Sequence, residues 1–321
     1  MQKKAICPKY PFRSMIEYDL FGNPQSLSMR EVLQKTILAT RKDTPVAILG
    51  EFSTGKSWLA HKIHHLSKFT NDIYYELDCI KMHPDQIRNE LLGRMQHNHD
   101  GGHITHNAFN YVNHGTLFVK SFNALSTELQ HHLVHLVEHF TTTTIFNARQ
   151  DPVNVRVIVS VDYKAYEGKK SDIQALLEQI NPIYISQPPL RKRREDIPML
   201  VNSFLEELSQ RYNRQQIPHV HPSVLYSFLL YDWPGNLRQL QNTLEYALII
   251  SNEAEIKSEH LPPVFKNQAG SHYSRSLVYN EDSFLRAEKM LCQKVLNKNG
   301  SLRKTALELG INYSTLKKII K

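Results

Sequence analysis

Gly50-Glu51-Phe52-Ser53-Thr54-Gly55-Lys56-Ser57 is the stretch whose reading decides the fold. It matches the pattern G-x-x-x-x-G-K-[ST], follows directly on the apolar run Val46–Leu49, and opens onto a helix expected to start near Ser57. Glycines allow such a loop to curl so that successive backbone N–H groups point inward at phosphate oxygens. The helix that follows adds the positive end of its dipole. In this reading Lys56 neutralises terminal phosphates and the Ser57 hydroxyl is placed to hold magnesium, with Gly50, Phe52, Ser53, Thr54, Gly55 and Trp58 completing the candidate nucleotide-binding set.

Working outward, short β-branched or aromatic runs recur at Val46–Gly50, Tyr74–Cys79, Thr116–Val119, Arg156–Val161 and Ile183–Ser186, with helix-like stretches between most of them. That alternation predicts an α/β fold with a parallel sheet flanked by helices. From Pro188 onward the strands are expected to stop, giving way to amphipathic segments Pro198–Arg211, Pro222–Tyr231 and Asn236–Ile250. Between Pro262 and Asn280 a Pro-Pro pair, Gly270 and several serines read as a linker. Beyond it, Phe284, Ala287, Leu291 and Val295 share one helical face, Gly300 breaks the pattern, and two short helices are expected around Gly310-Ile311-Asn312.

The 321 residues suffice for two or three domains, and 41% hydrophobic with 22% charged residues is a globular balance. No apolar run reaches bilayer length and Met1–Phe12 lacks a signal-peptide core, so no membrane association and a cytoplasmic location are expected. Cys7, Cys79 and Cys292 stand far apart and form neither a zinc ribbon nor a disulfide framework. The net charge is +8, and Glu281–Lys321 alone carries nine basic against four acidic residues, a footprint suited to a polyanion.

Several further stretches are specific. They are Glu90-Leu-Leu-Gly93, Gly115-Thr-Leu-Phe118, Glu128-Leu-Gln130, Pro188-Pro-Leu-Arg-Lys-Arg-Arg-Glu-Asp-Ile-Pro198 and Asp232-Trp-Pro-Gly-Asn-Leu-Arg-Gln-Leu240. With the phosphate loop they make the chain resemble, from about Leu20 to Phe265, the central domain of the sigma-54-dependent enhancer-binding activators, a branch of the AAA+ superfamily. The resemblance implies an N-terminal extension (1–19), an AAA+ αβα nucleotide-binding subdomain with a parallel sheet (20–187), a helical lid (188–265), a linker (266–280) and a C-terminal all-α helix-turn-helix (281–321). It also implies that Arg238 reaches from the lid to the nucleotide. The extension is too short for a receiver domain, so a signal is expected to enter through a bound partner, through expression level or through a ligand on the core.

The departures from the family are sharper than the matches. Where the family continues its Gly-Thr-Leu-Phe strand into Leu-Asp-Glu, whose carboxylates position magnesium and polarise water, this chain reads Val119-Lys120-Ser121, and no acid occurs between Asp100 and Glu128. The family's trans-acting arginines precede Pro-Pro-Leu-Arg. Here no arginine occurs from Val157 to Leu190, Ile173 and Gln179 stand near the expected places, and Asp162 replaces the γ-phosphate-sensing Asn. The family's sigma-contacting Gly-Ala-Phe-Thr-Gly-Ala is replaced by Arg94–His106, in which His97, His99, His103, His106 and Asp100 fit no finger spacing and read as a solvated loop rather than a metal site. The basic run Arg191–Arg194 likewise reads as a solvated face.

Glu281–Lys321 resembles a Fis-type helix-turn-helix on Glu288-Lys-Met-Leu291, Gly300, Ala306, Leu309-Gly-Ile311 and Thr315-Leu316. The recognition helix is expected over Tyr313–Ile320 behind an Asn312 cap. Tyr313, Ser314 and Thr315 would then lie nearest base edges, with Lys317, Lys318, Arg303 and Lys304 near phosphates. Fis-type units pair through their first helix, which implies a dimer on a two-fold double-stranded DNA operator and leaves a larger homo-oligomeric ring open. Taken together, the chain is expected to be a DNA-binding transcription regulator with a hydrolysis-defective AAA+ domain. ATP or ADP are its candidate ligands, magnesium is disfavoured, and RNA polymerase is a candidate partner. A working ATPase that remodels polymerase, or an accessory protein tuning a competent relative, are the alternatives.

Overall fold

The computed structural model describes residues 24–97, 103–142, 154–167, 172–251, 254–266 and 282–320, so the expected extension 1–19 and nearly all of the expected linker lie outside the described residues. These residues form two compact units, one holding 31–187 and the other 24–30 with 188–320.

In the first unit the strands are β1 (Val46–Leu49), β2 (Tyr74–Asp78), β3 (Arg94–His97), β4 (His103–His106), β5 (Thr116–Lys120), β6 (Arg156–Val161) and β7 (Ile183–Ser186). Five of them make an all-parallel sheet in the order β2-β5-β6-β1-β7. Continuous apolar runs suit it because both faces are covered: every residue of β1 and of β6 is buried. Helix α1 (Leu27–Thr40) starts in the second unit's segment 24–30 and belongs to the first from Glu31 onward, and the first unit's other helices are α2 (Lys56–His65), α3 (Pro84–Leu92), α4 (Ala108–Tyr111), α5 (Thr127–Thr142), α6 (Tyr163–Glu167) and α7 (Asp172–Gln179). Leu117, Val119, Val157 and Val159 of the sheet share a core with Leu129, Leu133, Leu176 and Leu177 of α5 and α7.

Two sequence expectations are corrected here. The histidine-rich stretch expected as a solvated loop instead pairs β3 with β4 antiparallel, Arg94 opposite His106 and His97 opposite His103. His99 and Asp100 lie outside the described residues. Strands also continue past Pro188: β8 (His219–Val220) and β9 (Glu255–Ile256) form a short parallel pair. Two residues cannot display a periodic pattern, which is why the sequence hides them.

The second unit is otherwise helical: α8 (Ile197–Arg211), α9 (Pro222–Leu230), α10 (Asn236–Ile250), α11 (Pro263–Lys266), α12 (Asp282–Asn299), α13 (Leu302–Leu309) and α14 (Tyr313–Ile320). Phe204, Phe228, Trp233 and Leu244 centre its core, which runs on without interruption into Ala287, Leu291, Cys292, Leu309 and Leu316 of the last three helices. Gly300 (φ +62°) and Gly310 (φ +67°) hold the left-handed conformation at the two turns joining those helices, where a side chain would be strained. Trp233 donates its indole N–H to the Phe228 carbonyl at 2.8 Å and packs edge-on to the Phe228 ring.

The basic run is a third correction. Arg193 and Arg194 are 4% and 0% exposed, not solvated. Arg194 directs its guanidinium at the carbonyls of Leu229 (2.5 Å) and Tyr231 (2.7 Å), which the end of α9 leaves open, and at Asp232 (2.7 Å). Charge patterning alone cannot reveal that a guanidinium is consumed by backbone carbonyls. Arg194→Ala is expected to destabilise the second unit by about 3 kcal/mol, because it deprives two carbonyls and a carboxylate of their donor. The midpoint of its urea unfolding transition measures the loss.

Candidate functional site

Strand β1 ends at Leu49, and the loop that follows is pinned from both sides: Gly50 N–H donates to the Val161 carbonyl (3.2 Å) and Gln187 N–H to the Leu49 carbonyl (2.7 Å). Position 50 must be glycine, since an added Cβ would stand 2.8 Å from the Gln187 carbonyl oxygen. Ser53 (φ 57°) and Gly55 (φ 104°) take left-handed conformations, which turns the loop into a concave nest at the N-terminus of α2. Thr54, fully buried, closes it internally by donating its hydroxyl to the Glu51 carbonyl (2.9 Å), and the Gln187 amide donates to the Thr54 carbonyl (3.2 Å).

Lys56 donates its ammonium to the carbonyls of Gly50 (2.6 Å) and Glu51 (2.8 Å), inside its own loop. Burial lowers its pKa to about 8, against the opposing pull of Asp162 and Glu51 and with a further push from Lys120. Ser57 lies half-buried in the first turn of α2. Trp58 has the Lys62 ammonium 5.6 Å from its ring centroid, and Phe52 is 61% exposed at the rim. Gly50, Ser53, Thr54, Gly55, Lys56 and Ser57 are thus brought together in a nest that fits a phosphate chain.

The C-terminal end of β5 carries Lys120, whose ammonium donates to Glu76 (3.1 Å) and Asp78 (2.8 Å) on β2. Parallel register sets Asp78 opposite Lys120, with Glu76 one pleat earlier on the same face. The end of β5 therefore holds a cation, satisfied by two acids of the neighbouring strand. Next to it Ser121 (φ 60°) donates its N–H to the Ser160 hydroxyl (3.0 Å). Burial raises the Glu76 pKa, with Lys120 opposing, while the Lys120 contact holds Asp78 below its usual value despite burial.

Around the other strand ends, the Asp162 carboxylate accepts from the Lys164 N–H (3.0 Å) at the start of α6. Ile173 packs into the core and Gln179 is exposed, while Arg156 at the start of β6 is buried and donates to the Ala39 carbonyl. Among the described residues no group of three or more histidine, cysteine or acidic side chains could hold a metal. Sequence reasoning missed Glu76 and Asp78. The available signal was Glu-x-Asp inside an otherwise apolar strand, which asks for a partner cation on an adjacent strand. It also missed the buried His61, Lys62 and His64 of α2, where His64 Nδ1 meets the Thr116 hydroxyl at 2.9 Å and burial lowers the pKa of both histidines to about 4.

In the second unit Arg238 is exposed in the first turn of α10. Arg303 and Lys304 are exposed on α13, as are Asn312 ahead of α14 and Tyr313, Ser314, Lys317 and Lys318 on it; Thr315 is half-buried. Leu316 and Ala306 face inward, so the polar and basic set lies on the outer side of the turn-linked pair.

The sigma-54 interaction domain matches residues 21–185 of this chain, and the AAA+ ATPase lid domain matches residues 191–276. A protein named limonene hydroxylase from Geobacillus stearothermophilus is 32% identical over 321 residues, 97% of this chain and 56% of the relative. The regulatory protein AtoC of Escherichia coli (strain K12) is 28% identical over 91% of this chain and 65% of its own length. The chain thus spans a little over half to two thirds of these relatives, and their named activities are their own. The solved structure of NtrX from Brucella abortus in complex with ADP shares the fold at a TM-score of 0.64 and 21% identity, over 92% of this chain and 68% of that one.

Two predictions follow from the charges. Because the unliganded Lys56 loses its proton as pH rises through about 8 and an anion favours the ammonium, phosphate affinity falls between pH 7 and pH 9 and binding above pH 8 takes up a proton. Calorimetry of ADP binding in buffers of different ionisation enthalpy reads that uptake. Lys120→Ala strands two largely buried carboxylates and costs about 1–3 kcal/mol at pH 7. Since the folded Glu76 pKa is raised and rises further without the lysine, the cost shrinks as pH falls and Glu76 protonates, which chemical denaturation at pH 7 and pH 5 compares.

Proposed function

The chain belongs to the sigma-54 interaction domain family, and we propose that within it this protein is a DNA-binding regulator of transcription that holds a nucleotide without hydrolysing it. The observation that carries the reading is the Lys120 ammonium held between Glu76 and Asp78. Phosphoryl transfer needs acidic anchors for magnesium and a polarised water, and a lysine there removes the electrostatic stabilisation of the transition state. The absence of arginine from Val157 to Leu190 withdraws the second source of that stabilisation, a neighbour's guanidinium.

Binding itself keeps its parts. The nest from Gly50 to Ser57 and the Lys56 ammonium suit ATP or ADP without a metal, with Phe52 and Trp58 beside the loop. The C-terminal helices contribute the reader: Tyr313, Ser314 and Thr315 toward base edges, and Arg303, Lys304, Lys317 and Lys318 toward phosphates, with Asn312 leading the helix. Its target is a double-stranded DNA operator and its place of work the cytoplasm. AAA+ domains assemble into homo-oligomers, and RNA polymerase is the partner on which such a regulator acts.

The expected outcome in single-turnover assays on purified protein is no ATP hydrolysis above background, with or without magnesium. Calorimetry with EDTA present shows ADP binding that Lys56→Ala weakens by at least about tenfold, the loss of a charge-assisted contact. Turnover abolished by Lys56→Ala would sink the reading. Footprinting on DNA around its own gene should show protection that Ser314→Ala with Lys317→Ala removes, and an unprotected operator would demote the protein to an accessory subunit.

A further inference from the structure

Helix α12 divides its contacts along its length. Its C-terminal end is tied to α13, where Lys298 and Asn299 donate to Glu308. Its N-terminal half lies instead on the lid. There the Tyr226 hydroxyl of α9 donates to Glu288 Oε1 at 2.8 Å, with the two residues 7% and 2% exposed. Two residues away Arg286 Nε donates at 2.8 Å to Glu195, whose side chain is 2% exposed in the turn before α8. Ala287, Leu291 and Cys292, on the same stretch, join the lid's apolar core. Each side of the seam therefore buries a carboxylate whose donor comes from the other side, and opening the seam exposes an apolar face while removing a hydrogen-bond partner from both acids.

We infer that α12, α13 and α14 are a fixed limb of the lid rather than a free module on a tether, with the N-terminal half of α12 seated on α9 of its own chain. The lid covers the face of α12 that carries Ala287, Glu288, Leu291 and Cys292, so any two-fold pairing through this helix is left the outer face with Leu285 and Met290, and the direction in which α14 presents Tyr313, Ser314 and Lys317 is set by the lid. The seating stands on geometry alone; only its DNA arm rests on the reading of α14 as the operator-contacting helix.

Cys292 lies one turn beyond Glu288, is 0% exposed, and reports the seam directly. In the full chain its alkylation, located by peptide mass spectrometry, should run at least about 100-fold slower than in the denatured chain. Ala287→Arg, which places a charge in the seam, should speed it by about tenfold or more while Cys79, buried in the first unit, stays protected. If Cys79 is released too, the variant has unfolded, and Arg286→Ala combined with Glu288→Gln replaces it. A wild-type Cys292 that reacts as fast as in the denatured chain would overturn the inference. So would protection that survives the seam variants, since shielding would then come from α13 and α14 alone. A second arm inserts ten Gly and Ser residues between positions 267 and 280 and compares footprints. A seated reader keeps the wild-type half-site spacing, whereas spacing that loosens with the insertion overturns the seating. No footprint from either chain, with Cys292 protected, refutes the DNA reading and leaves the seating intact.

Discussion

In an all-parallel sheet every strand leaves through the same edge, so the turns after Leu49, Lys120 and Val161 emerge at neighbouring points although the sequence separates them by scores of residues. The order β2-β5-β6-β1-β7 puts β6 between the phosphate loop's strand and the strand ending in Lys120. The contents of that edge then decide the chemistry. The loop supplies N–H groups and an ammonium, β6 supplies Asp162, and β5 supplies a second ammonium in place of an acid.

A lysine at the end of β5 could have been an isolated loss. Its geometry makes it an integrated part of the sheet instead: Asp78 stands in register with it and Glu76 lies one pleat earlier on the same face of β2, so the three charges form one compact group. Lys56, whose own ammonium is costly to keep charged once buried, draws its opposing support from Asp162 and Glu51, while Lys120 pushes against it. On the proposed function, anion recognition rests on the nest and Lys56, and metal-dependent hydrolysis would need an acid where Lys120 stands.

The second unit follows a comparable logic of buried charge. Arg194 satisfies carbonyls at the end of α9, Glu195 takes Arg286 of α12, and Tyr226 of α9 takes Glu288. The motif Arg193-Arg194-Glu195-Asp196 thereby reads as a junction: Arg193 meets Met29, Arg194 closes the lid on itself, and Glu195 receives the C-terminal helices. Asp196 meanwhile accepts from the backbone and hydroxyl of Ser26. One short stretch thus gathers the start of the described chain, the lid and the last three helices into one core.

By itself the sequence determined the five strands of the sheet, the glycine-rich loop between β1 and α2, the helices of the lid, and the presence of Lys120 after the Gly115-Thr-Leu-Phe strand with no arginine from Val157 to Leu190. These are local signals: apolar runs, glycine spacing and the identity of single residues, each readable without knowing what lies across the fold. Tertiary structure decided what required a partner distant in the chain. Lys120 is paired because strand register sets Asp78 opposite it with Glu76 on the same face, Arg193 and Arg194 are buried because Met29 of the second unit's leading segment and the end of α9 meet them, and α12 belongs to the lid because Tyr226 and Glu195 meet it. A charged residue is the same letter whether it faces water or a buried counter-charge. Only the fold chooses between them.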